Sequence, residues 1–169
     1  MKAKLIIEGK EIEIEISEEE YKKLQPSEEK KTGYERVPES DIYFYTHPGG
    51  YVGTASEDYC NIDNEYYESA NYYSDKTVAE NNARADRLIR QLRRFAVEHN
   101  ECGVNFNDTN AKKYYICYDY ASDELEVSSV VFSKNFGAIY FDSIKVAQAA
   151  IDEFRDELIW YFTEYKDSL

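Results

Sequence analysis

The sequence predicts an α+β protein: an antiparallel sheet packed by two or three helices, with a small β-hairpin-plus-helix module at the N-terminus. Three observations carry this. Ile12, Ile14 and Ile16 alternate with Glu11, Glu13 and Glu15, the period-two mark of a half-buried strand. Tyrosine-rich runs of strand length recur downstream, separated by turn sequences. Two long segments place apolar residues at three- and four-residue spacing, the signature of a helix with one buried face.

The elements follow in order. "KLIIEGKEIEIEI" reads as a hairpin turning at Gly9. "SEEEYKKL" reads as a short helix with Ser17 and Glu20 at capping-box spacing. Residues 1–25 thus form an N-terminal module, and the polar, Pro26-containing stretch 26–33 a linker. The main α+β domain spans 34–169. "DIYFYT" and "YVGTA" are strands about the turn "HPGG", and the loop "SEDYCNIDNE" leads into "YYESANYY". Ser74 or Asp75 caps a helix to about His99, with Ala85, Leu88, Ile89, Leu92, Phe95 and Ala96 on its buried face. "KKYYICYDY" and "ELEVSSVVF" form a hairpin around "ASDE", and "FGAIYF" is a further strand. Ser143 or Asp142 caps "IKVAQAAIDEF", and "RDELIWYFTEY" continues or restarts that helix. One echo crosses the domain: "NYYSDKTVAENNA" and "IYFDSIKVAQAAI" share an aromatic strand end, a polar cap and a helix bearing Val-Ala. That pattern reads either as a duplicated strand–helix unit or as the common grammar of capped helices.

Composition narrows the function classes. The chain carries 34 acidic against 20 basic residues, a net charge of −14. Phosphates would be repelled over most of such a surface, which argues against direct binding of nucleic acid and against an anionic membrane. No apolar run approaches about 18 residues. Three separated cysteines without a C-x-x-C pair favour reduced thiols and a cytoplasmic setting over a disulfide frame or zinc site. Seventeen tyrosines exceed what a core hides. Some serve as strand formers, and the others suit partly wet binding faces.

Arginine is distributed unevenly. Arg84, Arg87, Arg90, Arg93 and Arg94 share one stretch of the long helix, and with Asp86 they give it a charge of +4. One reading is a cationic face paired with surrounding acids, helped by the helix dipole. A second is an anion-binding stripe at Arg84, Arg87, Arg90 and Arg94. A third is a homodimer face meeting the acids of another copy. The opposite charge gathers on Glu11, Glu13, Glu15, Glu18 and Glu19. These form either the polar outer face that any such strand needs or a negative ridge that competes with nucleic acid for a partner's basic groove.

No pattern in the chain announces catalysis. His47 sits in a turn and His99 at a helix end, neither with a local partner for acid–base work. No P-loop, nucleophile elbow, dinucleotide-binding glycine pattern or zinc-protease motif occurs. The acidic loops at Glu57–Glu65 and Asp119–Glu126 lack the spacing of a calcium loop. The expectation is therefore no catalytic residue, no metal and no cofactor.

The strings "TGYERV", "DIYFY", "NYYSD", "KYYICYD" and "GAIYFDSIKVAQAAIDEF" resemble short accessory proteins of phages and prophages of Gram-positive bacteria, over roughly residues 32–158. A Trp-containing loop common in such proteins has no counterpart in "NECGVNFNDTN". The resemblance implies a setting rather than a reaction: an inhibitor of host defence, similar to anti-CRISPR proteins, acting in the host cytoplasm. The expected activity is non-catalytic binding of a host protein with a basic surface. The alternatives are a small-anion or nucleotide-sequestering protein using the arginine helix, and a phage structural or assembly component.

Overall fold

The computed structural model describes residues 2–7, 10–15, 17 and 31–165. The expected N-terminal helix, with Glu18 and Glu19, and the linker residues 26–30 lie outside them. The chain divides into two compact units, Met1–Thr32 and Gly33–Leu169.

In the first unit, β1 (Lys2–Ile7) pairs antiparallel with β2 (Lys10–Glu15). The register places Lys2 opposite Glu15, Lys4 opposite Glu13 and Ile6 opposite Glu11. Directly opposed residues share a face of the ladder. Two of the three glutamates of β2 thus have a lysine as register partner.

The second unit is α+β, as the sequence predicts, and its strands form two short ladders. β3 (Ile42–Thr46) pairs with β4 (Val52–Ser56), and β5 (Lys113–Asp119) with β6 (Glu124–Val130), both antiparallel. Gly53 is required where it stands: a Cβ there would come within 2.4 Å of the Tyr45 ring across the ladder. Helices α1 (Asn61–Glu68), α2 (Lys76–His99) and α3 (Ile144–Thr163) complete the unit.

The two halves of this unit repeat one plan. In the first, Phe44 of β3 exchanges two backbone hydrogen bonds with Tyr73, at 2.8 and 2.9 Å. Two residues later Asp75 caps α2 by accepting from the Thr77 and Val78 N–H groups. In the second, Tyr114 of β5 exchanges the same pair with Phe141, at 3.0 and 2.8 Å, and two residues later Ser143 caps α3 by accepting from the Val146 N–H. Ala79 and Ala147, each four residues past its cap, are both fully buried. The Val-Ala echo is thus a shared hairpin–bridge–helix architecture. The bridging segments stay single contacts, so "FGAIYF" contributes one bridge at Phe141 rather than a strand.

α2 packs against β3 and β4 and against α3, while α3 packs on β5 and β6. Leu88, Leu92, Phe95 and Ala96 of α2 meet Ala147, Ala150, Ile151 and Leu158 of α3 around Phe141. That is the helical face expected from spacing, except that Ile89 is only half-buried. α3 is one helix with a non-helical residue at Phe154 (φ −111°, ψ 20°), which places "RDELIWYFT" as a continuation across a kink. α1 runs through the stretch expected to be loop. Among the described residues, no helix is long and apolar enough to cross a membrane.

Candidate functional site

A buried polar network holds the first half together. Glu57, with no exposed surface, receives a two-pronged grip from Arg36: Nε to Oε2 and Nη2 to Oε1, each 2.9 Å. The Tyr72 hydroxyl donates to Glu57 at 2.8 Å and accepts from the Val37 N–H at 3.1 Å, and the Tyr59 N–H donates to Glu57 at 2.8 Å. The Arg36 guanidinium holds the Glu57 carboxyl below its usual range, and the Arg36 guanidinium is itself raised by that hydrogen bond. Beside it, the Tyr43 hydroxyl donates to Asp63 at 2.8 Å, and the Asp58 and Cys60 N–H groups donate to the same carboxylate at 2.9 and 3.1 Å. The Asp58 N–H leads in lowering Asp63 to about 2. Burial raises the Tyr43 and Tyr72 phenols. Tyr43 and Tyr72 stack at 4.1 Å between ring centres. The oxygens of Glu57 and Asp63, read from sequence as loop acids, are thus committed to structure.

The outer side of this network is a surface of different character. The Arg36 guanidinium lies 4.6 Å from the Tyr59 ring centre and 5.4 Å from that of Tyr67. Both tyrosines are exposed, at 52% and 43%. The arginine is therefore a fixed shelf carrying two phenols, with its charge neutralised from beneath. Tyr59 adopts φ 53°, a left-handed conformation. For a bulky residue this is a true outlier, costing roughly 1 kcal/mol or more, and such strain gathers at functional sites. Exposed Ile42 and Ile62 lie on the same stretch of chain, with exposed Glu39, Asp41, Asp58, Glu65 and Glu68. From Pro38 to Asp75 there is no lysine or arginine, and eight of the 17 tyrosines fall there. Tyrosine and arginine anchors ringed by polar residues are the composition of a protein interface.

The sequence-derived candidates distribute differently. Glu11, Glu13 and Glu15 lie at alternate positions of β2, and the register pairs Glu13 with Lys4 and Glu15 with Lys2. Arg84 is tied to Glu157 by two hydrogen bonds, 2.8 and 3.2 Å, and lies 3.9 Å over the Trp160 ring, joining α2 to α3. This pairing lowers Glu157. Arg87 lines a cavity of about 690 Å³ together with Asp152, Glu153, Asp156 and Glu157. Arg94 approaches Glu98 at 3.9 Å, and Arg90 is exposed beside the Gly50 turn. The four arginines do not converge on one point. Sequence reasoning passed over Arg36, Tyr59 and Tyr67. The signal that marks them is the absence of any lysine or arginine after Arg36 until Lys76.

No family model matches the chain, and comparisons with curated proteins and with solved structures give no match.

Proposed function

We propose that this protein binds another protein without catalysing a reaction, presenting the Tyr59–Arg36–Tyr67 shelf and the acidic, lysine-free surface around it to a basic partner. The strained, exposed Tyr59 held over a neutralised arginine carries the reading. A phenol ring fixed in this way offers a face to a partner's lysine or arginine at little conformational cost, while the surrounding carboxylates raise the encounter rate. The resemblance to phage accessory proteins directs the choice of partner to a host defence or nucleic-acid-handling protein, obstructed in the host cytoplasm in the manner of an anti-CRISPR protein.

The N-terminal ridge takes a smaller part in this reading, since lysines stand opposite two of its three glutamates on β2 in the register. Capture of a partner from nuclease-treated host lysate is the test, run with the native protein, with the Tyr59→Asn, Tyr67→Ser variant and with residues 1–25 removed. Asparagine tolerates positive φ, so the variant keeps its fold. The proposal requires that the double variant lose the partner, that raised salt weaken capture, and that the truncation cost less than the double variant. A partner retained by the double variant, or released by nuclease, would overturn it.

A further inference from the structure

A second surface breaks the acidic pattern. The last two turns of α2 and the segments 100–106 and 134–140 line an open cavity of about 630 Å³. Its walls include Val97, Val104, Phe106 and Tyr140, and its charged members are Arg93 and Lys134. These two cations also line an adjoining cavity of about 400 Å³, at whose rim Phe136 stands wholly in solvent. No aspartate or glutamate lines either space. Among the described residues, no carboxylate lies within ion-pair distance of Arg93 or Lys134. In a chain of net charge −14 this is a local reversal of sign. The arginine responsible is the one of the five left out of the anion-binding stripe expected from the sequence. The cavity at Arg87 is the contrast: its two arginines, Arg87 and Arg155, are outnumbered by four carboxylates, which leaves that lining net negative.

The walls are held in place. Asn100, at the C-terminal cap of α2, donates from Nδ2 to the Tyr140 carbonyl at 3.2 Å and accepts the Asp142 N–H at 3.0 Å. The Asn135 N–H donates to the Tyr140 hydroxyl at 2.6 Å. Phe106 meets Tyr140 edge to face, 5.0 Å between centres at 82°, and the Lys134 ammonium sits 5.4 Å over the Phe106 ring. The cavity therefore offers apolar and aromatic walls together with two cations that have no carboxylate partner among the described residues, and its volume falls within the range of about 300–1,000 Å³ usual for small-ligand sites.

We infer that this cavity binds a small organic phosphate with a planar ring, a nucleoside monophosphate by class, its phosphate between Arg93 and Lys134 and its ring against Phe106 and Tyr140. Arginine and lysine both suit phosphate, and the walls provide ring contact. A polymer of phosphates would meet the acidic surroundings, whereas a small anion reaches the cations alone. The site shares no residue with the Tyr59–Arg36–Tyr67 shelf, so either proposal can fail without the other.

Calorimetry at low salt, with adenosine 5′-monophosphate, adenosine and inorganic phosphate as probes, decides it. The expected result is that the monophosphate binds at least about tenfold tighter than either fragment, and that R93Q and K134Q each weaken it about tenfold, as loss of one charge-assisted hydrogen bond implies. K145Q, on an exposed lysine that lines neither cavity, leaves binding unchanged, and circular dichroism checks that each variant is folded. Absence of heat with the adenine, guanine, cytosine and uracil monophosphates overturns the proposal. So does adenosine binding as tightly as its monophosphate, or an affinity indifferent to R93Q and K134Q.

Discussion

The two halves of the second unit use one backbone plan and fill it with opposite chemistry. In the first, a hairpin, a bridging residue and a capped helix enclose Tyr43, Tyr72, Glu57 and Asp63, and among the described residues every buried side-chain polar atom is hydrogen-bonded. In the second, the same sequence of elements encloses Phe141, Ile151, Leu158 and alanines. Two arginines sit in a two-pronged carboxylate grip beside an aromatic ring, Arg36 on Glu57 within the first half and Arg84 of α2 on Glu157 of α3, and the settings differ. Glu57 has no exposure, whereas the Arg84 and Glu157 side chains are each about one-third exposed. The backbone plan thus dictates hairpin and cap positions but leaves open whether the interior is closed by packing or by hydrogen bonds.

This contrast can be broken at four places. The largest effect is expected at Phe141→Ala, about 4 kcal/mol, because a buried ring at the junction of α2, α3 and β5 leaves a cavity the packing cannot refill. Glu57→Gln follows at about 3 kcal/mol, since it strips a buried partner from Arg36 and Tyr72. Urea midpoints measure both. If Glu57→Gln costs no more than a surface change, the first half is not held by its polar network.

Acid provides the third test. Asp63 and Glu57 are both held below their ordinary values, Asp63 at about 2. The unfolded chain therefore takes up these protons first as pH falls. The stability the two carboxylates contribute is complete above their unfolded values, about 4 to 5, and is lost as pH drops toward about 2. Asp63→Asn is expected to flatten the pH dependence of the urea midpoint across that window. An unchanged slope would mean the hydrogen bonds to Asp63 do not discriminate between its charge states. The smallest effect is Glu157→Gln, below about 1 kcal/mol, because water screens this pair. A loss matching that of Glu57→Gln would erase the distinction between the buried pair and the screened one.

Some of this was legible in the chain and some was not, for physical reasons. Helical periodicity placed Leu88, Leu92, Phe95 and Ala96 on the buried face of α2, and polar residues before periodic runs marked both caps, with Asp75 and Ser143 chosen by the structure. The turns "HPGG" and "ASDE" located both hairpins. α1 escaped because "NIDNEYYE" has no apolar stripe; its N-terminal turn is organised by Asp63 accepting two backbone N–H groups, one of them from Cys60 at the cap. The shelf escaped because Arg36 and Glu57 are 21 positions apart and meet only when the hairpin closes. The arginine stripe misled in its detail. Spacing along one helix shows which arginines share a face, but not that Arg84 finds Glu157 on α3 while Arg93 faces a wall without acids.

Lys113 shows the same limit. It is buried, and its ammonium donates to the carbonyls of Asp108, Ala111 and Val131, tying the segment before β5 to the end of β6. Three carbonyls satisfy its three donors. Nothing in "AKKYY" distinguishes it from its exposed neighbour Lys112.

The lysine-free stretch has a practical side. Trypsin finds no bond to hydrolyse between Arg36 and Lys76, and amine-directed cross-linkers have nothing to modify there. The surface assigned here to partner recognition would therefore emerge from digestion as one long fragment and go unmarked in lysine footprinting. Carboxyl- or phenol-directed labelling, with cleavage after acidic residues, is the chemistry that can see it.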